Sequence, residues 1–309
     1  MAYSGSTSPR RASSRCLPVV TIGIGYAQNA RRADALALLG ASRQKDSQRV
    51  VGGRFLDKRV TTITGATVEY VVAGAGAPAI VLLNGAGGPL EGWVRVFASL
   101  EAASTVVAYN RLGIGQSSKP SEPQTGESVV SMLHALLQGL GVRPPYILVG
   151  HSLGGLFVNL FARTYPTEVA GVVFLDSAAP EDSTLIDEHG TEVQRFMQRA
   201  VDAVFGRDQF GEATCVPATV ELIARAAAFP PVPVVVVSAG RPARGMPPAV
   251  RAARATNQQG LVALSPLGEH VVAGKSGHFP QISEPGLVSE VILSLVASVT
   301  EGKHHAQGR

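Results

Sequence analysis

Apolar residues in this chain cluster in short uninterrupted runs. Segments 79–83, 105–109, 145–149, 171–175 and 232–237 each hold almost nothing but Val, Ile, Leu, Ala, Phe and Tyr, and Gly, Pro, Asn or Ser residues stand at their borders. Runs of this kind predict strands buried on both faces of a parallel sheet. A shorter strand is expected at 270–273, and 59–63 with 67–72 reads as a hairpin turning at Gly65. Between the runs the period lengthens to that of helices, over 93–100, 127–140, the stretch beyond Gly154 and 285–300. Strands alternating with helices predict an α/β fold, a mostly parallel sheet of about eight strands with helices on both faces. Ligands then belong at the carboxyl ends of the strands.

One interval breaks the rhythm. Residues 177–231 are helical and Pro-punctuated with no strong strand, too long for an ordinary connection, and read as a cap inserted over the strand ends. Phe196, Met197, Val201, Val204 and Phe205 give it an apolar stripe. The simpler alternative is a plain surface excursion. The expected organisation is therefore an N-terminal extension over 1–55, one domain over 56–301 carrying this insertion, and a polar tail over 302–309.

Composition narrows the function classes. The 309 residues are 45% hydrophobic and 16% charged, the balance of a globular protein with ample core. The net charge of +4 is unevenly spread, because residues 1–59 hold eleven Lys and Arg against three acids. The rest of the chain is net acidic, so no basic face for nucleic acid is expected. Cys16 and Cys215 give neither a disulfide framework nor metal spacing, and the pair His304 and His305 is weak metal evidence, so neither metal nor cofactor is expected. No run of 18 apolar residues suggests stable membrane insertion. The acid-free, Arg-containing start around the apolar stretch 16–27 imitates a secretory leader; an organelle transit peptide or a misplaced start codon gives similar sequence. Localisation and oligomeric state stay open at this point.

The chemistry concentrates in Gly150 His151 Ser152 Leu153 Gly154, which follows the run 145–149 and precedes Leu156, Phe157, Leu160 and Phe161 at helical spacing. A GxSxG motif between strand and helix describes a crowded turn that exposes a serine at a helix N-terminus, where backbone N–H groups favour a developing oxyanion. Ser152 is the candidate nucleophile. A serine hydroxyl needs a base within hydrogen-bond reach, and the base needs a third group to fix its tautomer. Read as a nucleotide loop, the Gly85 region fails, since position 90 is Leu and no Lys-Ser/Thr pair follows.

Four stretches in order resemble the α/β-hydrolase family: Leu83 to Gly88, Tyr109 to Ser117, Val149 to Gly155, and Ser276 Gly277 His278 Phe279. The resemblance spans about residues 60–298. It implies that His278, on the loop after the last strand, is the catalytic base. It also implies an acid after a strand, and Asp176 closes the run 171–175, with Glu181 and Asp182 as nearby alternatives and helix capping as its simpler role. The oxyanion hole would be the N–H groups of Leu153 and Ala86, with Asn84, Gly85 and His151 bordering the substrate; packing or hydrogen bonding behind the site is the simpler role of His151. Two positions depart from the family pattern, Asn84 where His is usual and Asn110 where Asp is usual. Trp93 and Phe97, four apart, are expected in the core.

Members of that family commonly hydrolyse esters. The expected function is a serine hydrolase acting on a small carboxylic ester, with water and a small molecule as its partners. Carbon–carbon bond hydrolysis and ligand binding without catalysis are the alternatives, since a fold does not dictate function.

Overall fold

A computed structural model describes residues 56–183, 211–243 and 245–307, with side chains to residue 301. The expected leader, the apolar stripe of the insertion and the side chains of His304 and His305 lie outside the described residues.

Among the described residues eight strands form one sheet: β1 (Arg59–Ile63), β2 (Ala66–Ala73), β3 (Ala79–Leu83), β4 (Val106–Tyr109), β5 (Tyr146–His151), β6 (Val169–Leu175), β7 (Val234–Ala239) and β8 (Gly268–Ala273). Their order is β1-β2-β4-β3-β5-β6-β7-β8. The β1–β2 and β2–β4 pairs are antiparallel and every other pair is parallel. The uniformly apolar runs have a direct cause. In β3 the side chains of Ala79, Val81 and Leu83 enter one core and those of Ile80 and Leu82 the other, and β5, β6 and β7 alternate in the same way. Both faces are covered, so neither set of positions tolerates polar residues.

The covering helices are α1 (Val94–Glu101), α2 (Gly126–Gly139), α3 (Gly154–Thr164), α4 (Val216–Arg225), α5 (Pro248–Val262), the single turn α6 (Pro280–Ser283) and α7 (Pro285–Gln307). One core takes Trp93, Phe97 and Leu100 with Val288, Ile292 and Leu295 of α7, which fulfils the expectation for the tryptophan. The other takes the apolar sides of α2 and α3, joined by Ile223 of α4. The second half of the insertion is thus built into the body of the domain, where α4 packs beside α2 and α3 and Gly126 N–H donates to Thr219 Oγ1 at 3.0 Å. Helix α7 runs on past the predicted end at residue 300.

Strand β3 lies between β4, which follows it, and β5, which comes after the crossover through α2. The loops leaving the carboxyl ends of β3 and β5 therefore diverge, and a crevice opens between them. That crevice sits where the Gly85 loop and the Ser152 turn meet.

Candidate active site

The turn at Ser152 is held by geometry that only its neighbours permit. Ser152 has φ +51°, in the left-handed region, which costs a non-glycine residue about 1 to 3 kcal/mol and persists only where surroundings fix it. Here its N–H donates to Leu175 O at 3.2 Å, while its carbonyl accepts from Gly155 N–H at 3.0 Å and Ala178 N–H at 2.9 Å. A Cβ on Gly154 would stand 2.5 Å from Leu83 O and 2.8 Å from Asn84 O, so α3 starts hard against the end of β3. The Gly85 loop passes over the serine itself: a Cβ on Gly85 would lie 2.8 Å from Ser152 Cβ and 3.2 Å from Oγ. Glycine is required at both places because the backbone and Ser152 leave no room for a side chain.

Three side chains from three strand ends meet in one line. His278 Nε2 lies 2.9 Å from Ser152 Oγ, and His278 Nδ1 lies 2.6 Å from Asp176 Oδ2. Asp176 caps β6 with φ +39°, its N–H donating to Val237 O at 2.7 Å, and this left-handed turn aims the carboxylate along the sheet edge toward His278. Burial by itself would raise the Asp176 carboxyl, but the hydrogen bond and charge of His278, the Arg254 guanidinium and the Ala239 N–H bond outweigh it and hold it at about 2. The alternatives fall elsewhere: Asp182 binds Ala179 N–H, Asn257 and Arg254. The loop bearing His278 hangs on fully buried Ser276, whose hydroxyl donates to Glu284 Oε2 at 2.6 Å and whose carbonyl accepts from Arg241 N–H at 2.8 Å.

His151 and Asn84, expected beside the substrate, are buried and line no part of the cavity described below. His151 Nε2–H donates to the backbone carbonyl of His278 at 2.6 Å, so it supports the His278 loop from behind. Desolvation, followed by the charge of His278, pushes its ring down to about 3 and keeps it neutral. Asn84 donates to Pro89 O, bracing the loop on which Gly85 and Ala86 ride. Leu153 follows Ser152 in the chain and Ala86 lines the same cavity as Ser152, and neither backbone N–H takes a partner among the described hydrogen bonds.

Both departures from the family pattern have physical partners. Asn110 is fully buried, accepts from Leu90 N–H at 2.7 Å through Oδ1 and donates through Nδ2 to the equally buried Glu69. An Asp here would press one carboxylate against another, so Glu69 and the amide at 110 belong together. The neighbouring Arg111 is also buried and donates to Asn84 O at 2.8 Å and to Gly85 O. It pairs with Glu212, whose Oε2 accepts from Arg111 Nη2 at 2.9 Å and from Gly87 N–H at 3.1 Å. Loop 84–87 is thus clamped by the ion pair between Arg111, in the loop after β4, and Glu212. Breaking a buried pair by removing one partner costs about 3 to 5 kcal/mol. Glu212→Gln should therefore lower the thermal midpoint in a melting experiment and depress kcat, because the Ala86 amide loses its fixed position; a variant with unchanged midpoint and kcat would contradict the clamp.

A cavity of about 570 Å³ opens at Ser152 and His278, bordered by Ala86, Ala178, Met246, Val272 and Phe279 and by side chains of α5. Sequence reading missed the supports of this site. Glu69, Glu212, Glu284 and Arg254 belong to no local motif, and their partners lie far along the chain or in loops without periodicity.

A family model described as alpha/beta hydrolase fold matches residues 78–210. The chain has the α/β-hydrolase fold. It is 30% identical over 138 residues to an uncharacterized protein, YqjL, of Bacillus subtilis (strain 168), covering 43% of this chain and 54% of that protein. It is 31% identical over 136 residues to the (lyso)-N-acylphosphatidylethanolamine lipase of Mus musculus, covering 41% of this chain and 38% of the lipase. The matches thus span about half or less of these relatives. Among solved structures, a thermophilic esterase from Thermogutta terrifontis aligns with TM-score 0.58 at 19% identity, over 79% of this chain and 99% of that one. A putative lipase from Acinetobacter baumannii AYE aligns with TM-score 0.62 at 15% identity, over 91% and 100%. Among the described residues no helix is long and apolar enough to cross a membrane.

Proposed function

We propose that this protein is a serine hydrolase that cleaves a small carboxylic ester through an acyl-enzyme at Ser152. The observation that carries the reading is the unbroken hydrogen-bond line Ser152–His278–Asp176, at 2.9 and 2.6 Å, facing a cavity. In this mechanism Ser152 Oγ attacks the ester carbonyl carbon as its proton passes to His278 Nε2. Asp176 holds the Nδ1 proton and offsets the charge of the imidazolium. The carbonyl oxygen becomes an oxyanion bound by the amides of Leu153 and Ala86. Collapse breaks the ester C–O bond, and His278 returns the proton to the departing alkoxide. Water, deprotonated by His278, then releases the acyl group as the acid and restores Ser152. The names of an esterase and a lipase among similar proteins point the same way.

An alkyl fluorophosphonate tests the reading directly. Attack by Oγ forms an O–P bond and expels fluoride, so mass spectrometry should find one adduct per chain on the peptide containing Ser152. No adduct, with the protein folded, favours ligand binding without catalysis.

A further inference from the structure

The cavity beside Ser152 has a charge pattern that hydrolysis of a neutral ester does not call for. Helix α5 presents Arg251, Arg254, Ala255 and Gln258 to it, spaced by three and four residues on one helical face. Arg241, leaving the end of β7, joins them from the side of the His278 loop, to which its N–H is bonded. Against three arginines the described lining holds a single acid, Asp176, and that carboxylate is committed to His278 and Ala239 N–H.

The three cations are not equivalent. Arg254 is engaged, 3.2 Å from Asp182 and 3.9 Å from Asp176. Arg241 and Arg251 are exposed and make no ion pair within 4 Å with a described acid, although the charge of Arg241 also acts on Glu284, which lies outside the described lining. The cavity's imidazole outside the catalytic line is engaged too, His270 meeting Ser238 Oγ and Gln259 Nε2 at 2.8 Å each. Two guanidinium groups without a side-chain hydrogen-bond partner among the described residues thus border a cavity whose remaining described wall is largely apolar, Met246, Val272 and Phe279 among it. An apolar body with a few fixed polar groups is how small-molecule sites set orientation, and a planar guanidinium matches a carboxylate in two-point geometry.

We propose that the preferred substrate is an anionic ester, with a carboxylate several bonds from the scissile carbonyl held by Arg241 and Arg251. The apolar wall takes the intervening carbon chain while the carbonyl sits at Ser152. The proposal rests on the serine-hydrolase reading and names the substrate class for it.

The test compares mono-p-nitrophenyl adipate with p-nitrophenyl hexanoate, matched in chain length and leaving group. The full-length protein should show a kcat/KM higher for the adipate by roughly tenfold at low salt, shrinking as ionic strength approaches about 1 M, where charges are screened beyond about 3 Å. In the double variant Arg241→Gln, Arg251→Gln the ratio of the two kcat/KM values should fall to about one. The salt dependence of the unaltered protein needs no variant to fold. If hexanoate is turned over as well as or better than adipate at low salt, the charge assignment is wrong while the hydrolase reading stands. If neither ester is turned over and the fluorophosphonate leaves Ser152 unlabelled, both are wrong.

Discussion

Ser152→Ala is expected to reduce ester turnover by on the order of 10⁶-fold while the protein stays folded. The loss should be that large because Oγ alone is positioned to bond the carbonyl carbon, with His278 Nε2 2.9 Å away to take its proton. Removing one member of a unit that acts together removes nearly all that the unit contributes. The fold should survive because Ala keeps the Cβ packed beneath Gly85 and adopts the same left-handed turn at similar cost. The rate to measure is hydrolysis of a p-nitrophenyl ester, with circular dichroism and thermal melting alongside. A variant within tenfold of the unaltered protein would remove Ser152 from the mechanism. Running the same pair on a vinylogous diketone separates ester from carbon–carbon bond hydrolysis, since the proposed reading expects the ester to be the faster substrate.

The parts of this fold legible in sequence are those where one physical demand acts on consecutive residues. Burial on both faces made β3, β5, β6 and β7 into continuous apolar runs, and the crowded turn at Ser152 imposed Gly150 and Gly154. Helix α5 escaped notice because Arg251, Arg254, Asn257 and Gln258 face the cavity or bind its rim, leaving Val250 and Leu261 as its buried apolar residues and no stripe to read. Asp176 was legible as a strand-end acid, but nothing local announces its positive φ. The supports were hidden for another reason. Glu69 meets Asn110 and Arg111 meets Glu212 across 41 and 101 residues, and a pairing that distant has no signature in spacing. Asn84 and Asn110 looked like losses from the family pattern until their partners were visible. The amide at 110 both donates to Glu69 and accepts from Leu90, which a carboxylate cannot do.

Asp176→Asn should lower kcat by roughly 10⁴-fold with KM within a few-fold, the size of effect seen where this role is lost from a serine triad. The carboxylate accepts the Nδ1 proton of His278 and so leaves Nε2 bare toward Ser152. An amide in its place can turn its NH₂ toward Nδ1, which favours the tautomer with the proton on Nε2 and leaves no base facing the hydroxyl. Stability supplies an independent readout. The folded pKa of Asp176, about 2, lies below the unfolded value of roughly 3.9, so its ionised form stabilises the fold above that unfolded value, and this contribution is lost as pH falls through the folded one. Its size is on the order of 2 kcal/mol, at a side chain only 12% exposed. The difference in melting temperature between the unaltered protein and Asp176→Asn should therefore be greatest near neutral pH and narrow between about pH 4 and pH 2. Asp182→Asn is the control, since Asp182 holds α5 through Arg254 and Asn257 and does not touch His278. Its cost should appear mainly in stability. If Asp182→Asn instead abolished turnover while Asp176→Asn preserved it, the acid would have to be reassigned and the strained turn at the end of β6 would need another explanation.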